Sequence, residues 1–227
     1  MTDADEDVEA AGDAAIEEPP EPRPIEPTVP DELGLVQVWW GDGKGKTTAA
    51  LGMGFRAAGH GYRVHLLQFM KGGTPSVEDV RGEYNAIAAM PGFSYETTGH
   101  YGWHRRLDDV EDEHAARAES ALERARELVD ATRDADRDSP IPSDADPEMG
   151  VDMLLLDEVL YATNRGLIDP DDLLALIDAK PGDLELVLTG GHERPEYVTD
   201  RADLVSEVRK EVHPIDAGQA ARKGTEY

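Results

Sequence analysis

The stretch Gly41-Asp-Gly-Lys-Gly-Lys-Thr-Thr48 constrains this chain more than any other. An apolar run, Leu33-Gly-Leu-Val-Gln-Val-Trp-Trp40, precedes it. Thr47-Thr-Ala-Ala-Leu-Gly-Met-Gly-Phe-Arg-Ala-Ala58 follows and reads as a helix ended by Gly59. A strand, a glycine-rich turn and a helix in that order make a cradle for a chain of phosphates. Backbone N–H groups must converge on the phosphates, so the turn has to take conformations that glycine allows. A lysine must reach the outer phosphates, a hydroxyl must meet Mg²⁺, and a helix N-terminus must stand behind them. Gly45-Lys46-Thr47 supplies the last three positions of such a loop. The strict spacing puts a first glycine at position 40, where this chain has Trp40, so the match is to a variant loop.

The rest of the chain alternates strands with helices. Arg63–Phe69 reads as a strand, Val77–Met90 as a weaker helix closed by Pro91-Gly92, and Phe93–Glu96 as a short strand. Asp108 to about Thr132 is a charged helix with one apolar face, its acidic start solvated where carboxylates suit the helix dipole. An acidic loop follows from Asp134 to Gly150. Val151-Asp-Met-Leu-Leu-Leu-Asp157 is a buried strand. Asp169-Pro170 caps a helix over Asp171–Ala179, Leu184–Thr189 is a strand, and Leu204–Val212 alternates like an edge strand. This order predicts an α/β fold of three layers, a mostly parallel sheet with helices on both faces around a phosphate loop. The carboxylates Asp157 and Glu158 end the apolar strand, where such folds place an acid beside a phosphate-bound metal. Sequence alone leaves open which of the two reaches it.

Composition removes several function classes. The chain carries 49 acidic residues against 22 Lys+Arg, a formal charge of −27. A surface of that sign has no footprint for nucleic acid or an anionic membrane. No Cys is present, which excludes disulfides and thiolate metal sites. No apolar run reaches the length of a membrane span, so a cytoplasmic location is expected. Residues 1–32 hold 12 acids, one Arg and six Pro. They cannot bury enough apolar surface to offset ordering and are expected to be a disordered tail preceding a domain over 33–227. Only 6 of the 22 basic residues are Lys, and acids occur in every segment, a pattern of proteins adapted to high salt. An ordinary acidic protein with an inflated tail is the competing explanation.

Further segments give the reading a specific direction. Gly41–Gly52 with Arg56-Ala-Ala-Gly-His-Gly61 resembles the opening of the P-loop family of ATP:corrinoid adenosyltransferases. Gln68-Phe-Met-Lys-Gly72, Phe93-Ser-Tyr-Glu-Thr97, Leu156-Asp-Glu-Val-Leu-Tyr161 and the stretch from Ala202 to Tyr227 resemble later blocks of that family, in order. The resemblance implies transfer of the 5′-deoxyadenosyl group of ATP to the cobalt of a Co(I) corrinoid, with release of triphosphate. ATP is then co-substrate, Mg²⁺ (or Mn²⁺) the cofactor, the corrinoid the second substrate, an electron-donor protein a further partner, and a homodimer the family's assembly. Carried over by position, Gly41, Asp42, Gly43, Lys44, Gly45, Lys46, Thr47 and Thr48 hold the triphosphate, with Lys46 the catalytic counter-charge and Thr47 on the metal. Arg56 matches a family arginine near the nucleotide, and Phe93 and Tyr95 match an aromatic pair under the corrin.

Three positions depart from the family pattern. Tyr95 stands where Trp is frequent, Gly190-Gly-His-Glu193 replaces a Gly-Arg segment, and the acidic tail replaces a basic N-terminal helix. A phosphate loop alone also fits a kinase or ATPase acting at the γ-phosphate, or a non-catalytic nucleotide switch. His100 and His104 flank Tyr101-Gly-Trp103 without metal-site spacing and read as hydrogen-bonded loop residues. His65 reads as a satisfied core residue.

Overall fold

A computed structural model describes residues 21–70, 82–98, 108–220 and 222–225, with the side chains of 108–112 excepted. Six strands form one parallel sheet: β1 (Val36–Trp40), β2 (Val64–Gln68), β3 (Phe93–Thr97), β4 (Met153–Asp157), β5 (Glu185–Thr189) and β6 (Leu204–Glu207). Their spatial order is β3-β2-β4-β5-β1-β6. Parallel order demands crossovers, and helices α1 (Lys46–Gly59), α2 (Gly82–Ala88), α3 (Asp108–Asp134), α4 (Val159–Asn164), α5 (Pro170–Ala179) and α6 (Glu196–Thr199) supply them. All strand C-termini therefore open on one edge of the sheet, the edge where open α/β folds bind ligands.

Burial divides by face. On one side Val38, Leu154, Leu156 and Leu186 meet Ala118, Ala121, Leu122, Ala125, Leu128 and Val129 of α3 and Leu173, Leu176 and Ile177 of α5. The i, i+3, i+4, i+7 spacing of the α3 set is the single apolar stripe of a surface helix. On the other side Val64, Leu66, Leu155 and Val187 meet Ala50, Leu51, Ala57 and Ala58 of α1 and Ile87 of α2. This is the three-layer, phosphate-loop α/β architecture expected from the sequence.

Differences lie at element ends. β1 is shorter than the apolar run because Gly34 and Leu35 are held outside it, their amides donating to Glu185 Oε2 at 2.9 and 2.8 Å. β6 stops at Glu207 instead of running to Val212; the next residues turn over the phosphate loop. The helix expected over 77–90 is described only from Gly82. α4 was not expected: six residues fall below the length at which periodicity is legible. Part of the expected disordered tail is pinned. Residues 21–32 run without helix or strand, and Thr28 N donates to Gly61 O at 3.2 Å. Gly61 has φ +87, and a Cβ there would sit 1.8 Å from Glu26 O.

Two α1 glycines make the packing testable. A Cβ on Gly54 would lie 2.8 Å from the Phe93 ring and 3.0 Å from Leu155 Cδ1, whereas Gly52 has nothing within 4 Å. Gly52→Ala should stabilise by about 1 kcal/mol through helix propensity. Gly54→Val should destabilise by about 2 kcal/mol through overpacking. Urea midpoints with unchanged m-values check both, and a destabilised Gly52→Ala would show that helix face to be occupied.

Candidate active site

The loop between β1 and α1 is glycine-rich for steric reasons. Gly41 and Gly45 have φ +124 and +119, outside the range of ordinary L-residues. A Cβ on Gly43 would meet Arg209 backbone atoms at 2.6 Å. The loop is tied to its neighbours: Gly41 N donates to Gly191 O at 3.0 Å and Gly43 N to Val208 O at 2.7 Å. Asp42 Oδ1 accepts from Lys210 N at 2.9 Å. The segment after β6 thus buttresses the phosphate loop, and half-exposed Lys210 stands beside it.

Lys46 is the first residue of α1. Its Nζ donates to Gly41 O at 2.7 Å and Gly43 O at 2.9 Å, which folds the ammonium over the concave side of the loop. The helix start behind it receives no side-chain cap, and its first turn contains no acid. In a chain of 49 acids that first turn, Lys46-Thr-Thr-Ala49, holds no acid, so the positive end of the helix dipole favours an anion there. Thr48 is exposed on the same turn, and Lys44 is exposed at the loop tip.

Thr47 meets the acid that ends β4. Its Oγ1 donates to Asp157 Oδ1 at 2.9 Å, although β5 lies between β1 and β4 in the sheet. Asp157 is 0% exposed. Its Oδ1 also accepts from Thr189 Oγ1 at 2.6 Å, and its Oδ2 from Gln68 Nε2 at 2.9 Å. These bonds answer the desolvation of a buried carboxylate. Glu158 sits on left-handed backbone, φ 64, its N donating to Thr189 Oγ1 at 3.1 Å and its side chain lying against Gly190. A non-glycine residue holds that conformation at a cost of about 1–3 kcal/mol. Of the two candidate acids, Asp157 is the one bonded to Thr47.

Hydroxyl and carboxylate oxygens are the hard donors that Mg²⁺ takes, and a pair of them at the loop leaves positions for waters and phosphates. No group of three or more His, Asp or Glu that would hold a metal by itself occurs among the described residues.

Other expected residues lie elsewhere. Arg56 is exposed ten residues along α1 from Lys46, about 15 Å down the axis, and is not brought to the loop. Phe93 is 6% exposed and belongs to the α1-side core, edge-on to Phe55 with centroids 5.2 Å apart. It does not share an open surface with Tyr95, which is 36% exposed and stacked on Tyr84 at 4.5 Å. His65 is buried with Nδ1 2.8 Å from Ser94 Oγ, while Nε2 is 3.6 Å from Glu96 Oε1 and lacks a hydrogen bond. Desolvation pushes its pKa down to about 4, so the ring is neutral near pH 7. His100, His104 and Tyr101-Gly-Trp103 lie outside the described residues.

Sequence reasoning missed Gln68, Tyr84 and Thr189. The first and last carry a usable signal: each is the polar final residue of a strand buried throughout, at the ligand edge of the sheet.

A phosphate loop, a buried acid on the loop threonine and an uncapped helix N-terminus, set on a parallel sheet, define a protein of the nucleotide-binding P-loop class. The particular family follows from comparison with known proteins. Residues 32–227 match the family model described as ATP:corrinoid adenosyltransferase BtuR/CobO/CobP. A corrinoid adenosyltransferase of Pseudomonas aeruginosa is 33% identical over 202 residues, 87% of this chain and 85% of the relative. The corrinoid adenosyltransferase CobA of Salmonella typhimurium is 32% identical over 203 residues, 87% of each chain. A corrinoid adenosyltransferase of a Sinorhizobium species is 32% identical over 207 residues, 88% of this chain and 83% of the relative. The chain belongs to the ATP:corrinoid adenosyltransferase family.

Proposed function

We infer that this enzyme transfers the 5′-deoxyadenosyl group of ATP to the cobalt of a reduced corrinoid and releases triphosphate. The observation that carries the reading is the family match across 32–227, which includes the whole phosphate loop and the β4 acid. In the step, the electron pair of Co(I) forms the Co–C5′ bond while the C5′–O bond breaks, and the bonding pair leaves with the triphosphate. Such a nucleophile needs no general base. The protein's part is to position two substrates and neutralise the departing charge.

The geometry supports a role for each residue. When triphosphate enters the loop, the Lys46 ammonium exchanges the Gly41 and Gly43 carbonyls for phosphate oxygens. The first-turn N–H groups of α1 take the same anion. Thr47 and Asp157 would hold Mg²⁺ or Mn²⁺, which supplies charge neutralisation to the triphosphate. Tyr95 offers the exposed ring of the aromatic pair expected under the corrin, and Phe93 supports β3 from the core. A homodimer, an electron-donor partner and a cytoplasmic setting complete the reading. No helix among the described residues is long and apolar enough to cross a membrane.

Product analysis tests the activity. Incubation with ATP, Mg²⁺ and chemically reduced cobalamin should yield triphosphate and adenosylcobalamin in equal amounts. ADP would instead mark a γ-phosphate enzyme, and neither product a binding protein.

We assign the acidic surface to a high-salt setting. Arg124, Arg126, Arg133, Arg137, Arg201 and Arg209 are paired with acids, and the acidic excess stays unneutralised. Raising salt from 0.1 M to 1 M shortens the Debye length from about 10 Å to about 3 Å and relieves like-charge repulsion. The thermal midpoint should therefore rise steeply between 0.1 and 2 M KCl. Equal midpoints would leave an ordinary acidic protein.

A further inference from the structure

Gln68 is the last residue of β2, fully buried, in register with Asp157 on β4. Its amide is held at both ends. Nε2 donates to Asp157 Oδ2 at 2.9 Å, and Oε1 accepts the Tyr84 hydroxyl at 2.6 Å. Tyr84 lies in the first turn of α2, with its ring stacked on Tyr95 at an interplanar angle of 4°. The bond directions are forced. An ionised carboxylate only accepts, so the amide must present its NH₂ to Asp157 and its oxygen to a donor, which the tyrosine hydroxyl supplies.

The need for such a hold lies in the torsion of the aspartate. The last side-chain torsion of Asp is soft and two-fold, so a carboxylate bonded at one oxygen can pivot about it. Thr47 and Thr189 both bond Oδ1. Gln68 bonds Oδ2 and removes the pivot.

We propose that Tyr84 and Gln68 form a positioning relay that fixes the Asp157 carboxylate for the metal-bound triphosphate. This rests on the reading of Thr47 and Asp157 as the metal-holding pair. Neither relay residue is a catalytic group; each acts through Asp157. Occupancy of the α2–β3 aromatic stack is thereby linked to the metal side of the nucleotide site.

Mn²⁺ binding to the full chain with ATP and no corrinoid, followed by electron paramagnetic resonance, tests the relay apart from turnover. Tyr84→Phe keeps the stacked ring and removes only the hydroxyl. It should weaken Mn²⁺ binding several-fold, Gln68→Leu about tenfold, and the double variant no more than Gln68→Leu alone. ATP affinity without metal should stay within twofold of the parent in Tyr84→Phe, although the melting temperature should fall somewhat because the buried Gln68 oxygen loses its donor. A merely structural role predicts parallel loss of metal-free ATP binding in Tyr84→Phe and additive loss of Mn²⁺ binding in the double variant, and either result overturns the relay. Undiminished Mn²⁺ binding in Tyr84→Phe does the same. Thr47→Val separates the two failures: if it leaves Mn²⁺ affinity intact, the metal assignment has failed rather than the relay.

Discussion

Lys46→Ala should lower kcat by two to three orders of magnitude while the protein stays folded. The ammonium lies over the loop on the Gly41 and Gly43 carbonyls, where a triphosphate would take their place. Charge grows on that triphosphate as the C5′–O bond breaks, so a fixed cation is worth more at the transition state than in the ground state. Removing one preorganised donor to a developing anion costs about 2.7–4 kcal/mol, which sets the expected range. The melting temperature should shift little, because the Lys46 bonds to the Gly41 and Gly43 carbonyls are only part-buried. ATP with Mg²⁺ should raise the melting temperature of the parent and raise that of the variant much less. A variant that turns over at the parent rate would show that the cation serving the leaving group lies elsewhere, with Lys44 and Lys210 next to be replaced.

Legibility in the sequence followed how local each constraint was. Lys46 and Thr47 were readable because the loop needs glycine at positive φ, a lysine and a hydroxyl within a few residues of one another. α5 was readable because Asp169 Oδ1 caps Asp171 N at 2.9 Å beside Pro170, a signal held in three consecutive residues. The sheet order was not readable: β5 enters between β1 and β4 by side-chain fit across distant segments. The choice between Asp157 and Glu158 depended on that order, since it decides which carboxylate faces Thr47. Gln68 and Thr189 looked like the ends of apolar strands, and their bonds to Asp157 appear only when β2, β4 and β5 are side by side. Arg56 and Phe93 came from resemblance by position. A helix of 14 residues carries Arg56 away from the loop, and a core with no room for a Cβ on Gly54 encloses Phe93.

The burial of Phe93 changes what to expect of the aromatic wall. Phe93 pairs with Val64 and Tyr95 with Leu66, four and two residues short of the Gln68–Thr97 pair at the ligand edge. At about 3.3 Å per residue, Tyr95 sits roughly 7 Å below that edge and Phe93 about 13 Å. In the proposed reading, an apolar aromatic face under the corrin would exclude water and the lower axial ligand, and losing that ligand would ease reduction of Co(II) to Co(I). Loss of the wall should therefore show most when the corrinoid is supplied as Co(II) with a mild reductant, and least when Co(I) is made beforehand. Phe93→Ala should cost about 3–5 kcal/mol of stability and depress both assays together, as a core deletion does. Tyr95→Ala should show the Co(II)-selective loss, because Tyr95 is the exposed ring of the pair. Visible spectra of Co(II) cobalamin with ATP read the outcome directly: the four-coordinate species should form in the parent and fade in Tyr95→Ala. Persistence in Tyr95→Ala would remove that ring from the corrin site.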